Sequence, residues 1–389
     1  MKKILLFLLS AVFILTLSSE AFAEYYQLQS SSDCRKIIVF KPGVSENKKD
    51  EIIKKHRGSK IKDMKIIYGA SVLIPYEEVD NLKFETDILR VDDDNTVEIS
   101  GKSTINSSEI IPWGIECIDA EKTFTIILTN IVKVGIIDTG IDTSHPDLKN
   151  NIKGGYNCIY PKKVATDDNG HGTHVAGIVA ALHNNIGVVG VSPKANIYAI
   201  KSLDSSGNGY VSDVIEGLDW AVTNKMNVIN MSFGTSSDNQ SLHDAIIYAY
   251  DSGIVLVAAA GNDPNSPTNY PAAYSEVFSV SAIDETKNIA SFSSTGKVDF
   301  TAPGVNINST YLNSTYKTIS GTSMAAPHVT GVVALLLSKP SKCDIDGNGV
   351  CTPEEVKKRL ESSSMDLGSP GKDNVYGSGL INAYNSLTQ

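Results

Sequence analysis

Cysteine is scarce in this 389-residue chain, with five residues at positions 34, 117, 158, 343 and 351. Five is an odd number, so not all can pair within the chain. None lies in a recognisable Cys–His constellation, which argues against a cysteine nucleophile. Positive charge is also in short supply: 34 Lys and Arg stand against 44 Asp and Glu, for a net charge of -10. That balance excludes a broad phosphate-binding surface and predicts no nucleic-acid partner. After residue 23 no run is long and apolar enough to cross a bilayer. No repeat of solenoid length is present. The 41% hydrophobic and 20% charged content is that of a globular protein rather than a disordered or fibrous one.

The N-terminus differs from the rest. Lys2 and Lys3 precede an apolar run from Ile4 through Leu15, and Ala21-Phe22-Ala23 supplies a small-x-small processing pattern. Residues 1–23 therefore read as a cleaved signal peptide; a membrane anchor fits less well, because the apolar core is short for a span. The expected product is secreted, monomeric and free of the membrane, in a compartment where cysteines oxidise. Removing the segment that holds Cys34 would leave an even set.

Residues 24–107 are rich in lysine and short of glycine. Strands are expected over residues 36–41, 65–68, 70–74 and 88–97, with helices over 45–57 (Ser45 as N-cap) and 77–84. Strand-helix-strand-strand-helix-strand is the ferredoxin-like order. The small polar stretch 100–108 has the chemistry of an exposed linker. From residue 108 onward the texture changes. Apolar, mostly β-branched runs at 132–137, 197–200, 228–231, 254–259 and 277–282 alternate with helical patterns at 173–181, 211–224 and 242–250. This predicts an α/β domain with a mostly parallel central sheet and helices on both faces. Functional side chains are then expected at strand ends and in the loops beyond them.

Three motifs carry chemistry. Residues 134–140 (VGIIDTG) end a buried strand on Asp138, just before a turn. Residues 169–177 (NGHGTHVAG) place His171 at the start of a helix, between glycines. Residues 321–328 (GTSMAAPH) set Ser323 at another loop-to-helix junction. Amide hydrolysis needs a nucleophile, a base of near-neutral pKa, and a group that orients the base and stabilises its cation. Ser323, His171 and Asp138 are those three types. An aspartate after a strand is by itself more often a turn former, and His174 and His328, inside helices, read as structural. The combination in the order Asp, His, Ser is what carries weight.

On these motifs residues 109–385 resemble the subtilisin family of serine peptidases, and residues 24–107 more loosely resemble the inhibitory propeptide that precedes such domains. The resemblance implies a secreted endopeptidase acting on proteins or peptides through an acyl-enzyme, with its own propeptide as intramolecular inhibitor. It implies that Asn262, in the segment 258–262 (AAAGN), donates to the oxyanion. Gly207 and Gly209 would form one edge of the substrate cleft, and Ser232, Phe233 and Gly234 the other, with a peptide laid between them as an added strand. One departure concerns Asn269, which falls where a glycine often lines the primary specificity pocket. A side chain there should shrink or polarise the pocket.

Calcium is the expected cofactor, at two places. The loop 182–188 resembles the family's calcium loop, with Leu182, Asn184, Ile186 and Val188 as oxygen donors and Asp147 and Glu109 completing the set. Residues 344–355 (DIDGNGVCTPEE) fit the twelve-position EF-hand loop through Asp344, Asp346, Asn348, Val350 and Glu355. Thr352, Pro353 and Glu355 equally read as a helix start with a capping box, which makes Glu355 the weakest ligand of that set. Cys343 and Cys351 bracket the loop and could form a short disulfide; Cys117 with Cys158 would complete the even set, though sequence cannot fix the pairing.

Two other readings are open. A calcium-dependent binding protein on the same scaffold would be favoured by loss of a triad member, yet all three and Asn262 are present. An esterase would bring a Gly-x-Ser-x-Gly elbow and the order Ser, Asp, His, and this triad has neither.

Overall fold

The computed structural model describes residues 33–98 and 109–389; the expected signal segment and the linker at 100–108 lie outside them. The described residues divide into two compact units, one ending at Asp94 and the other beginning at Asn95.

The first unit contains β1 (Asp33–Phe40), α1 (Glu46–Lys55), β2 (Ser59–Met64), β3 (Gly69–Pro75), α2 (Val79–Leu82) and β4 (Ile88–Asp93). The sheet order is β2-β3-β1-β4 with antiparallel neighbours, the ferredoxin-like arrangement. Ser45 caps α1 by accepting from Lys48 N, as its position predicts. Ile38, Phe40, Ile52, Ile53, Val72 and Ile74 make a core of its own. Two expectations need correction. The second strand lies at 59–64 rather than 65–68, because alternating charged residues hide its half-buried character. Residues 88–97 are not one strand: the run breaks after Asp93, and β5 (Thr96–Glu98) belongs to the second unit.

The second unit continues with α3 (Trp113–Cys117), β6 (Lys133–Asp138), β7 (Ile152–Asn157), α4 (His171–Ala180), β8 (Asn196–Lys201), β9 (Asn208–Tyr210) and α5 (Val211–Thr223). After these come β10 (Val228–Met231), α6 (Gln240–Asp251), β11 (Val255–Ala259), β12 (Val277–Ile283), β13 (Phe300–Pro303), β14 (Ile307–Tyr311) and β15 (Thr315–Ile319). The chain ends in α7 (Thr322–Leu337), α8 (Pro353–Ser363) and α9 (Ala383–Thr388). Seven strands form one sheet in the order β13-β12-β11-β10-β6-β8-β7, with every described neighbour pair parallel. The apolar runs read from sequence are its central strands; β10, β11 and β12 are buried along their whole length, and β6 and β8 nearly so, because helices cover both faces. Edge strand β7 carries two glycines and half-exposed residues, so it gave no apolar signal.

The sheet positions chemistry through its topology. Consecutive strands β6, β7 and β8 fill one side, while β10 to β13 fill the other. The reversal at β6 opens a crevice beyond the carboxyl ends of the strands, where α/β sheets place ligands. α7 is buried from Thr322 to Leu336 and packs against the sheet.

Candidate active site

Asp138 is the last residue of β6 and is fully buried. Its Oδ1 accepts Thr139 N at 2.7 Å, and its two oxygens lie 2.8 and 3.0 Å from His171 Nδ1. An ionised aspartate there makes Nδ1 the protonated nitrogen and leaves the Nε2 lone pair free to act as a base. His171 is the first residue of α4. The N-cap, Gly170, has φ 107°, and a Cβ on it would lie 2.2 Å from the Tyr311 ring. A Cβ on Gly172 would lie 2.1 Å from Gly140 O, so the helix start can approach both the end of β6 and the Tyr311 ring only because the residues flanking His171 are glycine.

Asp167, which the sequence reading passed over, holds this helix start. Its buried carboxylate accepts Asn169 N, Gly170 N and Thr173 N at 2.9 Å each, and the hydroxyls of Thr139 (2.8 Å) and Thr173 (2.6 Å). An acidic residue just ahead of a Gly-His-Gly helix start was the available signal. His174 and His328 are structural, as expected. Burial drives their pKa values down to about 3 and about 4, and their ring nitrogens bond main-chain carbonyls.

Ser323 is the second residue of α7. Pro327, four residues on, has no N–H to give, so Ser323 O is released from the helical ladder and accepts Ser232 Oγ at 2.8 Å. In return Ser323 Oγ donates to Ser232 O at 2.9 Å. His171 Nε2 is buried with no partner among the described residues. The base is therefore unpaired while the nucleophile is parked on a carbonyl, a ground-state arrangement that a χ1 rotation of Ser323 can change.

Asn262 follows β11. Its Oδ1 accepts Thr322 N (2.8 Å) and Thr322 Oγ1 (2.9 Å), which fixes the amide orientation and leaves Nδ2 for the cleft. The Ser323 N–H, in the first turn of α7, has no acceptor within the helix. Two donors thus stand beside the nucleophile.

A cleft of about 620 Å³ brings together Ser323, Asn262, Phe233, Gly234 and Asn269. Asn269 lines this space, and its amide makes no side-chain hydrogen bond among the described residues. Asn95 and Thr96 also line this space, and β5 pairs antiparallel with β9: Val97 stands opposite Gly209 and Glu98 opposite Asn208. Gly209 has no room for a side chain, since a Cβ would lie 2.3 Å from Ser202 O. Gly207 (φ 80°) turns the chain into β9; of the expected cleft residues Phe233, Gly234 and Asn269 line the 620 Å³ space, whereas Gly207, Gly209 and Ser232 do not.

The loop residues expected to hold calcium also come together. Asp147 is fully buried; it accepts Asn184 Nδ2 (2.8 Å), Val188 N (3.0 Å) and Tyr316 OH (3.0 Å), and burial raises its pKa. Glu109 accepts Asn184 N at 2.8 Å and meets His183 Nδ1 at 2.9 Å. Asn184 Oδ1 accepts Ile186 N at 3.0 Å; Leu182 N bonds Asp147 O at 2.9 Å. In the second loop, one carboxylate oxygen each of Asp344, Asp346 and Glu355 lie within 4.8 Å of one another. Asp344 Oδ1 is buried without a partner among the described residues, while Oδ2 accepts Gly349 N at 2.9 Å. Asn348 Nδ2 donates to Asp346 Oδ2 at 2.9 Å, and Val350 N to Asn348 Oδ1 at 2.8 Å. Glu355 does form the capping box with Thr352, and it also accepts Ile345 N at 2.9 Å. These bonds pull its pKa to about 2, first through Thr352 N. Cys343 and Cys351 are bonded to each other across this loop. Cys117 and Cys158 remain thiols, so the even count gave parity but not a second pair: Cys117 ends α3, whereas Cys158 is buried beyond β7, against Ser202 Oγ.

A parallel α/β sheet with aspartate, histidine and serine brought together beyond its strand ends, and with a fixed amide beside the serine, defines a serine peptidase of the subtilisin type. The profile of the Subtilase family matches residues 129–379, and the chain belongs to that family. It is 39% identical over 389 residues to subtilisin amylosacchariticus of Bacillus subtilis subsp. amylosacchariticus, covering 97% of this chain and 96% of that one. It is 47% identical over 281 residues to subtilisin DY of Bacillus licheniformis, covering 71% of this chain and 98% of the relative. It is also 41% identical over 364 residues to the minor extracellular protease Epr of Bacillus subtilis (strain 168), covering 91% of this chain but only 54% of that longer relative. The chain is a subtilisin-type serine endopeptidase.

Proposed function

We propose that the chain is an exported precursor that cuts itself, acts as a monomer on protein substrates outside the cell, and is stabilised by calcium. The observation that carries this reading is the pairing of β5 with β9. A segment ahead of the catalytic sheet lies along a cleft edge as a substrate strand would, beside a cleft that contains Ser323 and Asn262. Residues 24–107 would then be the inhibitory propeptide, cut near 100–108. The name of the extracellular relative and the bonded Cys343–Cys351 pair agree with an oxidising, external compartment.

In the reaction Ser323 Oγ leaves Ser232 O, gives its proton to His171 Nε2 and attacks the scissile carbonyl carbon. The new oxyanion receives Asn262 Nδ2–H and Ser323 N–H, donors that need no reorganisation. His171, its positive charge balanced by Asp138, returns the proton to the leaving amine as the C–N bond breaks. Water, deprotonated by His171, then splits the acyl-enzyme and Ser323 regains its proton.

Calcium would take no part in these steps. The donor sets suit it: among the described residues Asp147 is a buried carboxylate with no lysine or arginine paired to it, and Asp344 has a buried oxygen without a partner. Asp147, Glu109, Asn184 and the carbonyls of Leu182, Ile186 and Val188 would hold one ion. Asp344, Asp346, Asn348 and Val350 would hold the other, with Glu355 divided between ligand and cap.

Expression of the full chain as Ser323→Ala tests the reading. The variant should accumulate uncut, and wild type should yield a shorter product whose new N-terminus lies near 100–108. Normal processing of Ser323→Ala would overturn it.

A further inference from the structure

Lys297 lies at the foot of the loop that carries Asn269. Its ammonium donates to the carbonyls of Ala272 (3.0 Å) and Val277, and to Asp299 Oδ2 (2.6 Å). Two main-chain carbonyls and a carboxylate converging on one positive charge are the donor set of a hard metal cation. Here the cation is tethered to the chain.

The two carbonyls belong to the segment that follows Asn269. That segment is fastened to the cleft on its inner side: Tyr270 exchanges main-chain hydrogen bonds of 2.9 Å with Thr235, and Asn269 N donates to Ala260 O at 2.8 Å. The outer side is fastened to residues 295–299. Thr268 N donates to Thr295 O at 2.9 Å, Thr268 Oγ1 to Lys297 O at 3.0 Å, and the Lys297 ammonium gathers the rest. The neighbouring lysines do not duplicate this work. Lys357 and Lys372 pair with the other oxygen of Asp299, at 2.9 and 3.0 Å, and Lys372 also meets Glu361 at 3.6 Å. Without Lys297 the carboxylate would keep countercharges, while the two carbonyls would lose the cation between them.

We propose that Lys297 is a positioning residue for substrate selection, a tethered cation that fills the oxygen cage of Ala272, Val277 and Asp299 and so sets the pocket wall on which Asn269 stands. The proposal rests on the cleft being the substrate site. Lys297 touches no substrate itself; it acts through the main chain that presents Asn269.

Lys297→Met keeps side-chain length without charge or donor, and Lys297→Gln keeps a neutral donor and serves if the first variant folds poorly. Each is expressed as the full chain and assayed on peptides varied at the residue before the cut, beside wild type in the same salts. Active sites are counted with a fluorophosphonate probe. The expected result is a KM raised about tenfold, close to 1.4 kcal/mol, a flattened preference among the peptides, and a smaller change in kcat. Potassium, calcium or methylammonium should restore both KM and preference by entering the vacated cage. Unchanged KM and preference in labelled enzyme would overturn the proposal, and so would a loss that none of the three cations restores. Failure of wild type to label would instead count against the peptidase reading.

Discussion

Ser323 and Ser232 are bonded to each other twice: each hydroxyl donates to the other residue's main-chain carbonyl, at 2.9 and 2.8 Å. The second bond exists because Pro327 leaves Ser323 O without its helical donor. The pair continues inward, since Ser232 Oγ accepts Asn230 Nδ2 at 2.8 Å and Asn230 Oδ1 accepts Thr330 Oγ1 at 2.8 Å. All four side chains are buried. A polar relay thus joins the end of β10 to the nucleophile's helix. Ser232→Ala would leave Asn230 Nδ2 without its acceptor, at a cost of about 1–3 kcal/mol. Urea unfolding of the variant should show that loss, and kcat should fall more than KM rises.

Removal of Asn262 Nδ2 should act on the chemical step. Asn262→Leu is expected to lower kcat by about a hundred- to thousandfold with little change in KM, the loss known for this donor in subtilisin and carried over from it. Steady-state kinetics on one peptide substrate is the check. A fall in kcat of less than tenfold would mean that Ser323 N–H suffices.

Asp138→Asn keeps the shape of the site but offers His171 Nδ1 an amide in place of a carboxylate. The tautomer with its proton on Nε2 then competes, and kcat should fall by about ten-thousandfold near neutral pH. The pH–rate profile of the variant should recover part of the loss when hydroxide can take over as base.

Asp299 connects stability to acid. Burial alone would raise its pKa, but the ammoniums of Lys297 and Lys357 prevail and hold it well below the usual carboxylate range. A carboxylate whose folded pKa is depressed contributes stability above its unfolded pKa, about 3.9, and loses it as pH falls further toward the folded value. In an inactive Ser323→Ala background, which prevents self-digestion, Tm should decline below about pH 4. Asp299→Asn should be destabilised by about 3–5 kcal/mol at neutral pH and show a shallower acid decline.

Calcium removal should lower Tm in the same inactive background. Asp344→Ala/Asp346→Ala should remove only part of the calcium response if the loop at 182–188 binds independently, because ligand binding to the folded state raises its apparent stability. An unchanged calcium titration in the double variant would remove the second site.

Much of this protein was legible in one dimension. The parallel sheet could be read because its central strands are buried on both faces and so appear as unbroken apolar runs. The triad could be read because three motifs stand together in the order Asp, His, Ser and resemble those of the subtilisin family; the structure adds why two of them carry glycine or proline, Gly170 and Gly172 by close approach to Tyr311 and Gly140, Pro327 by the carbonyl it sets free. What the sequence could not show depended on which distant residues meet. Charge alternation hid the half-exposed β2. Parity of cysteines said nothing of whether Cys117 and Cys158 would face each other. Asp167 looked like any loop aspartate until folding placed five donors around one carboxylate. The parking of Ser323 on Ser232 and the reach of Lys297 to the Ala272 and Val277 carbonyls join residues 20 to 91 positions apart, and hydrogen bonds of that kind leave no period or spacing in a sequence. Local backbone demands and burial made the fold legible, and the resemblance of three motifs to the subtilisin family pointed to the catalytic residues; long-range closure alone decided how those residues are held.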